Sequence, residues 1–563
     1  MFIKFAAHLK QHPLHRHLYF LGIGFLAVVV NGYHFGTFDQ VFHIPFLMKF
    51  INPAVYPNDP FLNLRWYHFS YFWFPFIPLY KAGLLQISMF IVHLLTIYGT
   101  VWMFWALTDH LFENDLASLL VTLALVIPHL GFPGFQIIEF SLLNRTFVLP
   151  FLLGCILLYL KDQKFLAFTL LGLMFNLHVI YALFVLCMFL LNELLTFKWR
   201  EGWRPVSQLL LFALAGSPVL LWRMNTGSGI DFTLRPEMLD FVASGLLFTD
   251  YFPISKAPYM IGNLLAGIGT LWAFILGHQQ APKSPNQATF QNFVYAIGVL
   301  LLVGVLASYL LPVTILLQMQ ILRVGVFMLY FGMIYFAYFI SAQYDQGRLS
   351  KQNLLTLSLA YILIPVLIVP VLLFYFLLWT QAKDKATGWL LPVVIAIPVV
   401  SLTIAYLQNF WAPGLHITGP QSDWREVQEW AKANTPEDAL FITPPQIFWH
   451  YTSDWRVFSE RSTVVTIPEL MEIPFDPAFE PSFRERLEAI APGAIDQFDG
   501  NYIRTLETTG TAFYTNTTED FRRLGCQFQA DYLVVEQGHS YDLDLIYQNP
   551  GFSLYALPAC PQP

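Results

Sequence analysis

Apolar runs of about 18–25 residues recur along this chain of 563 residues between short polar connectors, and that is the length a helix needs to cross roughly 30 Å of hydrocarbon. Hydrophobic residues make up 56% of the sequence, charged residues 12%, and mean hydropathy is +0.53, a balance no soluble globular chain of this length carries. The short alternating segments of a transmembrane β-barrel are missing. The sequence therefore predicts a polytopic α-helical membrane protein.

Twelve spans are expected, near 18–35, 83–107, 116–132, 146–160, 165–178, 180–196, 206–223, 259–277, 293–312, 320–341, 353–379 and 388–407. Lys/Arg-bearing connectors mark the cytoplasmic side: "LKQHPLHRH" near the start, "KDQK" at 161–164, "FKWREGWR" at 197–204 and "GRLSK" at 347–351. All agree with an inner N-terminus. The first apolar run has no small-residue cleavage site after it, so a retained helix is expected rather than a signal peptide. Alternation then puts 36–82, 133–145, 224–258 and 313–319 outside. Pro365 and Pro370 interrupt the run at 353–379, and Lys383 and Lys385 suit a cytoplasmic turn. Thirteen crossings, favoured over twelve, would place the C-terminus outside.

Charge divides the chain near Gln408. Residues 408–563 carry nine Lys/Arg and 22 Asp/Glu, a net of −13, against +6 for residues 1–407. The expectation is a multi-helix membrane domain over 1–407 and a soluble acidic α/β domain over 408–563, and the acidity excludes nucleic-acid binding. Within it, "SDWREVQEWAKANTP" reads as a helix opened by a Ser–Asp cap and "TEDFRRLG" as a helix, and "ALFITPP", "RSTVVTIP", "ADYLVVEQG" and "GFSLYALP" as strands. Cys526 and Cys560 both fall here, a pair that permits a disulfide in an extracytoplasmic domain and equally permits two free thiols.

Ionisable groups gather on the predicted outer face: Asp39 and Asp59 in the first loop, Glu139 and Arg145 in "FQIIEFSLLNRTF", His178, Asp250 and Arg323. Such groups are costly near hydrocarbon, so their convergence would build a surface cavity with carboxylates for proton abstraction and cations for a phosphate. Each has a plainer reading. Asp39 suits a helix N-cap, Asp59 a turn, and Glu139 an ion pair with Arg145. His178 suits a helix end, Asp250 an interfacial loop, and Arg323 snorkelling to lipid phosphate.

One helix, a long outer loop with an acid just past the membrane, a second outer loop with an acid and an Arg, a helical bundle and a soluble α/β tail together resemble the GT-C class of integral membrane glycosyltransferases. The resemblance covers the architecture of nearly the whole chain. It implies transfer of a sugar from a polyprenyl-phosphate carrier to an extracytoplasmic glycan, lipid or protein, in the plasma (inner) membrane of a cell envelope. It implies Asp39 as general base or as part of a divalent-metal site with Glu139, and Arg145 or Arg323 as ligands of the carrier phosphate; from their grouping on the same face, Asp59, His178 and Asp250 are expected to join the substrate-binding set. Asp39 is followed by Gln40, so the acidic pair of many members is missing, as is a "WWDYG"-type motif. The alternative reading is a non-catalytic lipid- or glycan-binding protein, transporter or scaffold. A transporter predicts internal repeats and mid-membrane charge, and neither stands out in the sequence.

Overall fold

The computed structural model describes residues 2–132, 136–197, 202–226, 231–234, 261–379, 389–447 and 451–560. Six described helices are long and apolar enough to cross a membrane: Pro13–Asn31, Leu85–Phe112, Ile261–Gln280, Pro285–Ala307, Thr314–Asp345 and Leu390–Leu407. The fifth of these, a short helix Thr314–Gln318 and a 3-10 turn Ile321–Val324 leading into the continuous α-helix Gly325–Asp345, is the axis of the bundle, since 94% of its apolar window is buried by neighbours. Helix Ile261–Gln280 lies directly on it, and glycine makes that approach possible. A Cβ on Gly277 would stand 2.2 Å from the Tyr335 carbonyl oxygen.

Several expected spans are shorter or broken. The run expected at 206–223 bends by 60° between Trp203–Ala215 and Ser217–Asn225, and counts as a seventh span if the pair is taken together. Pro365 splits 353–379 into Lys351–Leu363 and Ile368–Trp379, and its carbonyl accepts the Leu130 N–H at 2.8 Å. Asp115–Ala124, Asn144–Leu160, Lys164–Phe175 and Val179–Leu195 are apolar helices of 10–17 residues. The Lys383 and Lys385 connector lies outside the described residues.

The first helix ends at Asn31, and Gly32 (φ 86°) turns the chain into strand β1 (Tyr33–His34). This pairs in parallel with β2 (Leu415–His416), just beyond the last long helix, and a Cβ on Gly32 would meet the Ala412 carbonyl oxygen at 2.3 Å. The loop after the first helix is thereby tied to the start of the polar region. Beyond it, β3 (Leu440–Ile442), β4 (Ser462–Thr463), β5 (Tyr532–Glu536), β6 (Asp544–Gln548) and β7 (Phe552–Ala556) form one mixed sheet in the order β4-β3-β5-β7-β6. The β4-β3-β5 pairs are parallel, and β7 is antiparallel to both of its neighbours.

Helix Asp423–Asn434 covers this sheet, burying Trp424 against Trp455 and Phe552. Its N-cap is Ser422, whose hydroxyl accepts the Arg425 N–H, and Thr517 with Asp520 makes a capping box on Thr518–Phe528. Cys526 and Cys560 form a disulfide, closing one of the two readings left open by the sequence.

Candidate active site

The helix Gln40–Ile51 runs through the loop after the first helix with residues 40–49 all buried, and Asp39 precedes it. Asp39 stands at the N-cap position but its side chain caps nothing. The carboxylate instead accepts from Arg145 Nη1, while Arg145 Nε donates to Glu139 Oε1 at 2.6 Å and the Thr146 hydroxyl donates to Glu139 Oε2. One guanidinium thus bridges the acids of two loops, over the face of Phe38. Burial pushes the Asp39 carboxyl up, but Arg145 and then Arg323 outweigh it and hold it below the ordinary carboxylate range.

Gln40 explains the missing second acid. Its amide nitrogen donates to the Leu142 carbonyl at 2.8 Å and its oxygen accepts the Gly36 N–H at 2.7 Å, so the residue staples the loop after the first helix to the segment that carries Glu139. A carboxylate could accept from Gly36 but could not donate to Leu142.

Asp39 and Arg145 open onto a cavity of about 260 Å³. His178 and Arg323 also line it, so four of the seven expected site residues meet there. His178 is the N-cap of Val179–Leu195, its Nδ1 accepting the Tyr181 N–H at 3.1 Å, so the helix-end reading holds alongside the cavity position. Arg323 is carried by the short 3-10 turn Ile321–Val324, which follows Gln320 in the left-handed region.

The other three stand apart. Glu139 is not in the cavity lining and acts on it through Arg145. Asp59 is fully buried elsewhere, with both oxygens on Arg456 at 2.5 and 3.2 Å, and its side chain is 0% exposed. Asp250 lies outside the described residues.

The lining also holds four histidine or charged residues with no place in the sequence-based set: His43, His68, Arg223 and Glu472. His43 follows Asp39 by one helical turn, a spacing that "DQVFH" displays, and its ring stacks on Trp73 at 4.6 Å. Burial lowers its pKa to about 3, with His68 as the next cause. His68 closes the 3-10 helix Pro60–Tyr67, and its Nε2 lies 2.5 Å from Glu472 Oε2. Met471, Glu472 and Phe475 bring the polar C-terminal region over the cavity.

A divalent metal does not fit the acids as they stand. Asp39 and Glu139 are both engaged by Arg145, and among the described residues no group of three or more His, Cys, Asp or Glu side chains is arranged to hold an ion.

A domain of unknown function, DUF6798, matches residues 422–490. No curated protein matches the chain. Among solved structures the chain is similar to ArnT from Cupriavidus metallidurans, solved bound to undecaprenyl phosphate, with 11% identity over 97% of this chain and 99% of that one and a TM-score of 0.47. It is also similar to the archaeal oligosaccharyltransferase AglB from Archaeoglobus fulgidus, solved in complex with an inhibitory peptide and a dolichol-phosphate. There the identity is 10%, the coverage 92% of this chain and 69% of that one, and the TM-score 0.47.

Proposed function

We propose that the protein is a membrane glycosyltransferase of GT-C type that moves a sugar from a polyprenyl-phosphate carrier to an acceptor hydroxyl. The observation that carries this reading is one cavity, beside the first outer loop, where Asp39 meets Arg145, Arg223 and Arg323 from separate elements. A phosphate that departs with its electron pair needs cations in place before the bond breaks, and guanidiniums match its oxygens in geometry as well as charge. Asp39 is ionised at neutral pH and offers negative charge for the electron-poor anomeric carbon of an inverting displacement.

The membrane crossings number twelve or thirteen on this reading, which counts the shorter apolar helices together with the six long ones. The polar region then faces the extracytoplasmic side of the inner membrane, which suits a disulfide at Cys526 and Cys560. Lipid-phosphate binding without transfer is the second reading, and it is favoured by one observation: Asp39 is already paired with Arg145.

Both readings are tested with purified protein and radiolabelled sugars on a panel of polyprenyl phosphates, offered to membrane extracts as acceptor. Wild-type transfer that disappears in Asp39→Asn, with folding kept, is the expected result, and Glu139→Gln should weaken it through Arg145. Lipid-phosphate binding with no transfer from any donor would leave the binding reading.

A further inference from the structure

We propose that His68, oriented by Glu472, is the general base of the transfer, taking the proton of the acceptor hydroxyl. This rests on the glycosyltransferase reading and adds to it the residue that receives the proton.

The geometry is that of a histidine held by a carboxylate. Nε2 of His68 is 2.5 Å from Glu472 Oε2, so Nε2 carries the proton of the neutral ring and Nδ1 carries the lone pair. Nδ1 makes no hydrogen bond among the described residues, and the ring lines the cavity. Glu472 is 5% exposed, so its charge acts on His68 with little solvent screening. Phe46 and Phe475 pack on the ring with centroids 5.0 and 5.2 Å away, which fixes its plane.

The other groups in the cavity suit the proton less well. Asp39 sits below the ordinary carboxylate range and already accepts from Arg145, and base strength falls with pKa. His43, with its pKa lowered to about 3, is weaker than an ordinary imidazole by several powers of ten. The arginines hold no lone pair to offer. His178 uses Nδ1 to cap its helix.

In the step itself the acceptor O–H gives its proton to Nδ1 of His68 and its oxygen forms a bond to the anomeric carbon. The bond from that carbon to the carrier phosphate oxygen breaks, and its electron pair leaves on the phosphate beside Arg145 and Arg323. The imidazolium that results is balanced by the Glu472 carboxylate. His68 comes from the first loop and Glu472 lies 404 residues later, so the base is complete only when the polar region is seated on the cavity.

The test uses the full chain in lipid nanodiscs with radiolabelled polyprenyl-phosphate sugars, and reads kcat, donor KM and undecaprenyl phosphate binding for wild type, His68→Ala, His68→Gln and Glu472→Gln. Loss of a general base predicts kcat down by about 100-fold or more in His68→Ala, with donor KM and lipid binding held, and partial return of rate with added imidazole. Glu472→Gln, which keeps a hydrogen-bond acceptor but removes the charge, should lose about tenfold. If His68→Ala does not fold, His68→Gln carries the comparison, with kcat lost and KM held. Normal lipid binding with kcat within about threefold of wild type in the His68 variants overturns the proposal and leaves the transferase reading standing. A lost rate that imidazole does not restore assigns His68 to structure and overturns it too. A wild type with no transfer from any donor removes the reading and the proposal together.

Discussion

Asp59 and Arg456 lie 397 residues apart in sequence and share two hydrogen bonds, at 2.5 and 3.2 Å, in a site where neither side chain is more than 1% exposed. The same guanidinium reaches Glu469 at 2.7 Å and Asp454 at 3.3 Å, and Arg486 supports Glu469 at 3.1 Å. Tyr56 adds a hydrogen bond from its hydroxyl to the Arg456 carbonyl at 2.9 Å. This network clamps the loop after the first helix to the polar region, and the same contact brings Glu472 to His68.

Removing the shared cation should be worse than removing one of its acids. Arg456→Met leaves three buried carboxylates facing one another and is expected to cost about 3–5 kcal/mol, whereas Asp59→Asn leaves Arg456 with Asp454 and Glu469 and should cost less. Thermal unfolding of the solubilised protein compares the two. Equal, small shifts would show that the clamp contributes little.

Arg145 should not tolerate lysine. Its Nε and Nη1 hold Glu139 and Asp39 at once, and an ammonium on a flexible stem cannot reproduce that fixed fork. Arg145→Lys keeps the charge, yet on the proposed lipid-phosphate reading the binding of a polyprenyl-phosphate probe is expected to weaken by about tenfold, or about 1.4 kcal/mol. Unchanged affinity in a binding titration would move the phosphate away from Arg145.

The legible and illegible parts of the fold separate by range. Apolar runs predict the long helices, and the cap signal at Ser422 predicts the helix it begins, because both are local patterns; the Thr517 cap of the next predicted helix emerges only in the structure. The Glu139 and Arg145 pair is legible at six residues' separation. The partner of Asp59 is not, since nothing local in "YPNDPF" points to Arg456. His68 and Glu472 fail for the same reason. The edge strand β6 escapes a reading based on apolar runs because Asp544–Gln548 is largely exposed, and the helices Glu480–Ile490 and Tyr502–Phe513 are too polar to stand out.

His43 sets an acid limit on stability. Its pKa is ordinarily 6.5 and falls to about 3 in the fold, so between those values the unfolded chain binds a proton that the folded chain refuses. Stability is full above about pH 6.5 and declines as pH falls toward 3. Asp39 adds its loss lower, since its folded pKa lies below 3.8 and its contribution disappears as pH drops through that folded value. The charged and titratable groups in the electrostatic surroundings of His43 include Asp39, Arg145, His68 and His178. His43→Gln should flatten the unfolding temperature between about pH 6.5 and 4 relative to wild type. Parallel curves for the two proteins would mean that His43 takes its proton as readily in the fold as out of it.

The cysteines bear on which side of the membrane the polar region occupies. Cys526 and Cys560 are bonded while Cys155 and Cys187 are free, so alkylation of denatured protein should label two thiols without reductant and four with it. The bond closes a sequence separation of 34 residues, for which the chain-entropy relation gives about 3–4 kcal/mol, and the Cys526→Ser, Cys560→Ser double variant should unfold correspondingly earlier. Such bonds persist where the compartment is oxidising. Protein taken directly from cells with its thiols blocked at lysis should therefore show the same two free thiols. Four labelled thiols at that point would put the polar region in a reducing compartment and, with it, move Glu472 and the cavity to the cytoplasmic side.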